Sequence, residues 1–452
     1  MRRAAPFILL ASIAGFFWNQ SLAEAAPQLD TVREARIAYL KRHAIPVRSI
    51  DAADGNYADL EPLREVIGDR RIVMLGETTH GDGATFAAKI RLIKFLHERM
   101  GFDVLAFESG FYDVRKAWSA LRDGGDPLKA IRSSVDRIWS ASRQTQQLWT
   151  YIAGQSKTSR PLELSGFDTQ FTGSASSQSL LGDLTNYLSK AGLPPDAVGA
   201  ASRVTGALAL MLEDPSFIVN GSEFKNVKPG DQTAILAAHQ VLGDALGSLR
   251  LSDVPGIVER DFWMQFLKNS AAYLEQSWRV NLESLDQTFM DWAFNRRDRQ
   301  MGDNLIWLAQ RARPARKIIV WAGTSHVVRY RNVPGDPRDS RISMGDWVAE
   351  AMGSEVYALG FAAYQGRWAA VGSELTVLAP AAPNSLEDLL FSAGFEYAWL
   401  DFGHPAAGGE WLREPLSCRS LGYRPMTADW SRIMDGIFFV KETFPSDRIE
   451  GQ

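Results

Sequence analysis

Glu77 and His80 form a Glu-x-x-His pair in Leu-Gly-Glu-Thr-Thr-His-Gly-Asp-Gly. A carboxylate that orients an imidazole makes a base, and a ring with an ordinary pKa of about 6.5 takes a proton from water near neutral pH. Glu108, Asp168 and His326 each stand at or just past the end of an apolar run. Charged groups there cost several kcal/mol if buried and unpaired. One alone could be a helix cap or a backbone-bonded histidine; together they are the pattern of a site. No Gly-x-Ser-x-Gly elbow offers a serine nucleophile, and Cys418, the single cysteine, falls in a segment that reads as loop. The chemistry that fits is attack on an ester or lactone by water, with His80 as base and Glu77 or Glu108 orienting it. A cation is then wanted for the oxyanion. Lys89 fills that role, because it flanks the Phe86, Ile90, Ile93 stripe of a helix whose side chains lean toward the loop. A second reading places a divalent metal among Glu77, His80, Glu108 and His326, residue types that suit Zn or Mn; no compact His-Glu-x-x-His motif accompanies them.

These residues need a sheet to bring them together. Residues 71–110 read as strand, loop, helix, strand: Ile72–Leu75 is apolar, Gly76, Gly81 and Gly83 break it, Asp82 caps the helix and Gly101 ends it. The second strand, 104–107, finishes in Glu108. A right-handed crossover puts Glu108 on the same sheet edge as His80, the edge where open α/β sheets bind ligands. Further strands are predicted at 161–168, 317–322, 356–361, 369–378, 397–401 and 435–440, and helices at 31–43, 57–67, 114–122, 140–155 and up to 352. Residues 180–191, 197–213, 231–249 and 258–284 are helical in period throughout, and 295–304 opens the helix that returns to the sheet. Arg297 and Asp298 there are a helix-end ion pair or reach the site. Met301 reads as core, His239 as a packed or surface histidine, and His43 as a surface residue. The predicted fold is three-layer α/β/α with a mostly parallel sheet and an inserted helical lobe. Its parts are a signal peptide (1–25), a first core part (27–174), the lobe (175–296) and a second core part (297–445).

Arg2 and Arg3, then an apolar stretch over 7–17 and small residues before Ala26, form a secretory signal pattern too short for a span. With no possible internal disulfide, the expected destination is a bacterial periplasm. A net charge of −4 over 452 residues carries no nucleic-acid footprint, so the expected partner is a small molecule. Fourteen Trp and 23 Phe serve mainly the core, with some left for an apolar pocket.

Gly-Glu-Thr-Thr-His-Gly, the helix behind it and the Ala-Phe-Glu strand end resemble the erythromycin esterase family. The resemblance continues in the Gly-Phe-Asp strand ending at Asp168, in Arg297, Asp298, Met301 and Asn304, and in Trp-Ala-Gly-Thr-Ser-His-Val around His326. The family also carries a basic residue at the Lys89 position. The resemblance implies an esterase-like hydrolase, with antibiotic resistance as one role, Glu77, His80, Lys89, Glu108 and His326 catalytic, and Asp168 and Arg297 at the substrate. No resident cofactor is implied. Gly323 and Thr324 stand where the family has His and Asn, and that departure keeps open an exported binding protein without turnover.

Overall fold

The computed structural model describes residues 30–213, 224–249, 257–280, 286–332, 340–369 and 374–449. The expected signal peptide lies outside the described residues. The strands are β1 (Ile45–Val47), β2 (Ile72–Leu75), β3 (Phe102–Gly110), β4 (Glu163–Asp168), β5 (Lys317–Trp321), β6 (Val356–Trp368), β7 (Thr376–Leu378), β8 (Tyr397–Asp401), β9 (Leu416–Leu421), β10 (Arg424–Ala428) and β11 (Gly436–Thr443). Nine form one mixed sheet in the order β1-β8-β11-β6-β2-β5-β3-β4, with β7 on β6, while β9 and β10 make a separate hairpin. From β11 to β4 every neighbouring pair is parallel. This is the α/β class expected from sequence. β5 lies between β2 and β3, so the crossover from His80 to Glu108 skips one strand.

The central strands are buried on both faces, as their unbroken apolar runs require. Ile72 and Met74 face one core with Met301, Leu305 and Val348. Val73 and Leu75 face the other, with Phe86, Ile90 and Ile93. A third apolar cluster joins helices Leu181–Lys190, Pro195–Glu213, Pro229–Ser248 and Ile257–Arg279. No described helix is long and apolar enough to cross a membrane.

Several expected elements differ. The helix expected over 57–67 is only Leu63–Ile67, because Pro62 disfavours helix before it. The one expected over 140–155 splits into Arg137–Ser140 and Gln146–Gln155. Between them the Thr145 hydroxyl bonds the carbonyls of Trp139 and Ser142, and Arg143 N–H donates to Asp447 O. The returning helix begins at Gln287, capped by Asp286, so Arg297 and Asp298 are mid-helix and residue 296 is no boundary. Only Thr376–Leu378 of the strand expected over 369–378 is seen, and 370–373 fall outside the described residues. Cys418 lies not in a loop but on β9, fully buried.

Candidate active site

Four neighbouring parallel strands, β2, β5, β3 and β4, end at one edge and deliver Glu77, Gly323, Glu108 and Asp168 in that order. After β2 the chain turns through Thr78 and Thr79 to His80. Gly76 is required there, since a Cβ would come within 2.7 Å of the Thr324 hydroxyl oxygen. Asp82 then caps the Gly83–Met100 helix through Thr85 N–H at 3.1 Å.

Glu77 is buried, and both its oxygens are taken. Oε1 lies 2.6 Å from His80 Nδ1 and accepts the Trp139 indole N–H at 3.1 Å. Oε2 accepts from Lys89 Nζ at 3.0 Å. Burial alone would push this carboxyl up, but Lys89 and His80 hold it below its ordinary value. The His80 side chain is 37% exposed, and among the described residues nothing bonds its Nε2. Burial opposes the imidazolium, yet the Glu77 hydrogen bond and the charges of Glu108 and Glu77 outweigh it and raise the pKa to about 9. A Cβ on Gly323 would stand 3.2 Å from His80 Cε1 and 3.6 Å from His326 Cδ2, so the missing side chain is the space between the two rings.

Lys89 does not face the cleft. Its side chain is 0% exposed, bonded to Glu77 and Ala322 O, with Nζ 4.0 Å from the centre of the Trp321 ring. Burial, against Glu77's opposite pull, lowers its ammonium to about 8. The expectation that Lys89 meets an oxyanion is corrected: helical lean carries it beneath the loop, where it holds Glu77. The cation with a solvent-facing side is Arg297, 18% exposed. It bonds Asp168 through Nε at 2.9 Å and Nη2 at 2.5 Å, and Glu108 at 3.1 Å. Arg297 thus spans two strand ends and is not half of a helix-end pair. Glu108 also accepts Gly323 N–H at 2.8 Å, and its other oxygen stands 3.3 Å from His326 Nε2. His326 Nδ1 lies 2.9 Å from both oxygens of Asp298. Burial disfavours its cation, but Asp298 and Glu108 raise its pKa. Phe294 stacks on the ring at 5.4 Å.

Glu77, His80, Glu108, His326, Asp168 and Arg297 therefore meet at one edge, with Lys89 behind them. Sequence left Asp298 open between a helix-end pair and the site, and the structure puts it on His326; Trp139 and Phe294 were missed. Phe294, Arg297, Asp298 and Met301 lie at i, i+3, i+4, i+7, so helical period alone placed them on one face. Trp139 gave no comparable signal. Among the described residues no three His, Cys, Asp or Glu side chains are placed to hold a metal ion. Lys89 and Arg297 already occupy the carboxylates that the metal reading needs. Cavities of about 370 Å³ against Tyr112 and Lys116, and about 450 Å³ between Lys268 and Arg311, lie by the helical lobe and do not touch His80. Side-chain geometry, not cavity size, marks the site.

A family model described as erythromycin esterase matches residues 97–443, a span that holds Glu108, Asp168, Arg297 and His326. Over 417 residues the chain is 28% identical to YbfO of Bacillus subtilis (strain 168), a candidate hydrolase by its name, covering 90% of this chain and 91% of that one. It is 23% identical over 423 residues to erythromycin esterase type II of Escherichia coli, covering 90% and 98%. A Bacillus cereus protein of known structure shares the fold at a TM-score of 0.73 with 17% identity, over 92% of this chain and 99% of that one. So does a mutant of the erythromycin esterase EreC in its open conformation, at 0.65 with 17% identity, over 89% and 98%. The chain belongs to the erythromycin esterase family.

Proposed function

We propose that this protein hydrolyses a carboxylic ester or lactone of a small molecule with water activated by His80. The observation that carries the reading is the 2.6 Å contact between Glu77 and His80 Nδ1, which leaves Nε2 unbonded among the described residues. In that tautomer the neutral ring accepts a proton from water at Nε2 while the water oxygen attacks the carbonyl carbon. Glu77 stabilises the imidazolium that forms, and Arg297 binds the carbonyl oxygen as it gains charge. Collapse of the tetrahedral adduct breaks the acyl C–O bond, and the His80 proton goes to the departing alkoxide. Ester and water become acid and alcohol, with no other reactant. His326, tied to Asp298 and Glu108, fixes the Glu108–Arg297 side of the cleft. The names of the relatives support hydrolysis, and the Escherichia coli relative makes a macrolide one lactone to try.

The test is turnover of purified protein on a panel of esters and lactones, erythromycin included, with the acid product quantified. Acid release from at least one member is expected. A panel bound but never hydrolysed would favour a binding protein on this scaffold. Export to the periplasm is part of the same proposal and rests on the pattern of residues 1–25; N-terminal sequencing of a periplasmic fraction would check it.

A further inference from the structure

We propose that Trp139 is a positioning residue for the Glu77–His80 pair, and that residues 444–449 strap its segment to the His80 loop. For its effect on turnover this rests on the function proposed above; for its effect on His80 it does not.

Trp139 is buried, 2% exposed, and touches both members of the pair. Its indole N–H donates to Glu77 Oε1 at 3.1 Å, the same oxygen that lies 2.6 Å from His80 Nδ1. Its ring meets His80 edge to face at 5.3 Å. With Lys89 on Oε2, the indole prevents the carboxylate from swinging and takes a share of the charge that the imidazolium draws on. The other charged groups facing His80 are Glu108, Arg297 and Asp136, with His326 across Gly323. None of them contacts the Glu77 carboxylate, so they cannot replace the indole.

A helix of four residues does not hold itself in place. Asp136 caps Arg137–Ser140 through Ile138 N–H at 2.8 Å. Asp136 N–H also donates to the Ser109 hydroxyl at 3.1 Å and Phe107 packs on the indole at 5.3 Å, and residues near the end of the chain add further ties. Phe444 O accepts from Gly83 N at 2.8 Å and Ser446 N donates to Gly81 O at 2.7 Å, both on the His80 loop. On the other side Asp447 O accepts from Arg143 N at 2.7 Å and Ile449 N donates to Ala141 O at 3.0 Å, both just past Trp139. Ser446 and Ser142 hydroxyls join the two sides at 2.6 Å. These strap residues lie beyond the family match, which ends at 443.

The experiment follows the His80 imidazole by NMR in full-length protein with labelled histidine. The chain has six histidines, and His80→Ala identifies the resonance. Trp139→Phe keeps an aromatic ring and removes the N–H. Its His80 midpoint should rise by about one pH unit, the scale of one hydrogen bond to a charged group. At neutral pH kcat should fall severalfold with KM little changed. Ser446→Pro removes the N–H on Gly81 O and leaves the indole intact; it should move the midpoint the same way, by less. A merely structural Trp139 would lower stability without moving the midpoint. An unchanged midpoint in folded Trp139→Phe overturns the proposal, and if that variant does not fold, an unchanged midpoint in Ser446→Pro does so. A midpoint that moves in a protein that hydrolyses nothing would defeat the function and leave this inference standing.

Discussion

Glu77 is the residue on which the site's charges are balanced: Lys89 neutralises it from below, Trp139 fixes one oxygen, and the remaining pull raises His80 to about 9. At pH 7 roughly one His80 in a hundred is then free base. Turnover should therefore climb with pH through about 9, where an ordinary imidazole would level off above about 6.5; a pH profile of kcat/KM checks this. Stability follows the opposite sign. The His80 contribution is fully present below 6.5, its ordinary value, and is lost as pH rises through about 9. The gap in urea midpoint between wild type and His80→Ala should accordingly shrink from pH 6 to pH 9. Lys89 makes a contrasting case. Lys89→Met leaves Oε2 of the buried Glu77 carboxylate without its ammonium partner, and should cost about 3–5 kcal/mol of stability by urea unfolding. A Lys89 that served only an oxyanion would lose rate and keep its stability.

Among the elements, the Gly83–Met100 helix shows how a site and a fold share one residue. Asp82 caps it, and its buried carboxylate also accepts from the hydroxyls of Thr85 at 2.8 Å, Thr443 at 2.6 Å and Tyr423. Asp82→Ala removes a cap worth about 0.5–2 kcal/mol and strands buried hydroxyls at about 1–3 kcal/mol. A loss of about 2–4 kcal/mol in chemical denaturation is expected, with Asp82→Asn milder because the amide oxygen can still cap. The cap was legible because Asp82 precedes an apolar helical stripe. The hairpin of β9 and β10 was not, because Arg419 and Ser420 are buried within it and break the alternation a strand would show. Arg419 Nη1 and Nη2 donate there to the carbonyls of Ala379, Ala363 and Tyr364, a long-range arrangement that no local pattern announces. The break at 141–145 is of the same kind, set by pairing with residues near the chain's end.

At the scale of the molecule, four parallel strand ends converge from segments as distant as Glu77 and His326, and a helix crossing behind them lends Arg297 and Asp298. The convergence was legible because each strand is an apolar run with a polar residue at or soon after its end, and parallel strands share a carboxyl edge. The neighbour order was not: β5 between β2 and β3 is fixed by packing of a strand that follows the whole helical lobe. Nor could sequence show that Lys89 lies under the loop, since helical phase gives a side chain's direction but not the depth of the floor above it. The central claim is that this convergence makes His80 a base toward water. It is tested most directly by kcat of His80→Ala on a hydrolysed ester or lactone, in protein shown by circular dichroism to be folded. The account predicts a fall of ~10²–10⁴-fold, with the fold kept because the loop site leaves no large cavity. Near-normal turnover by His80→Ala would contradict it.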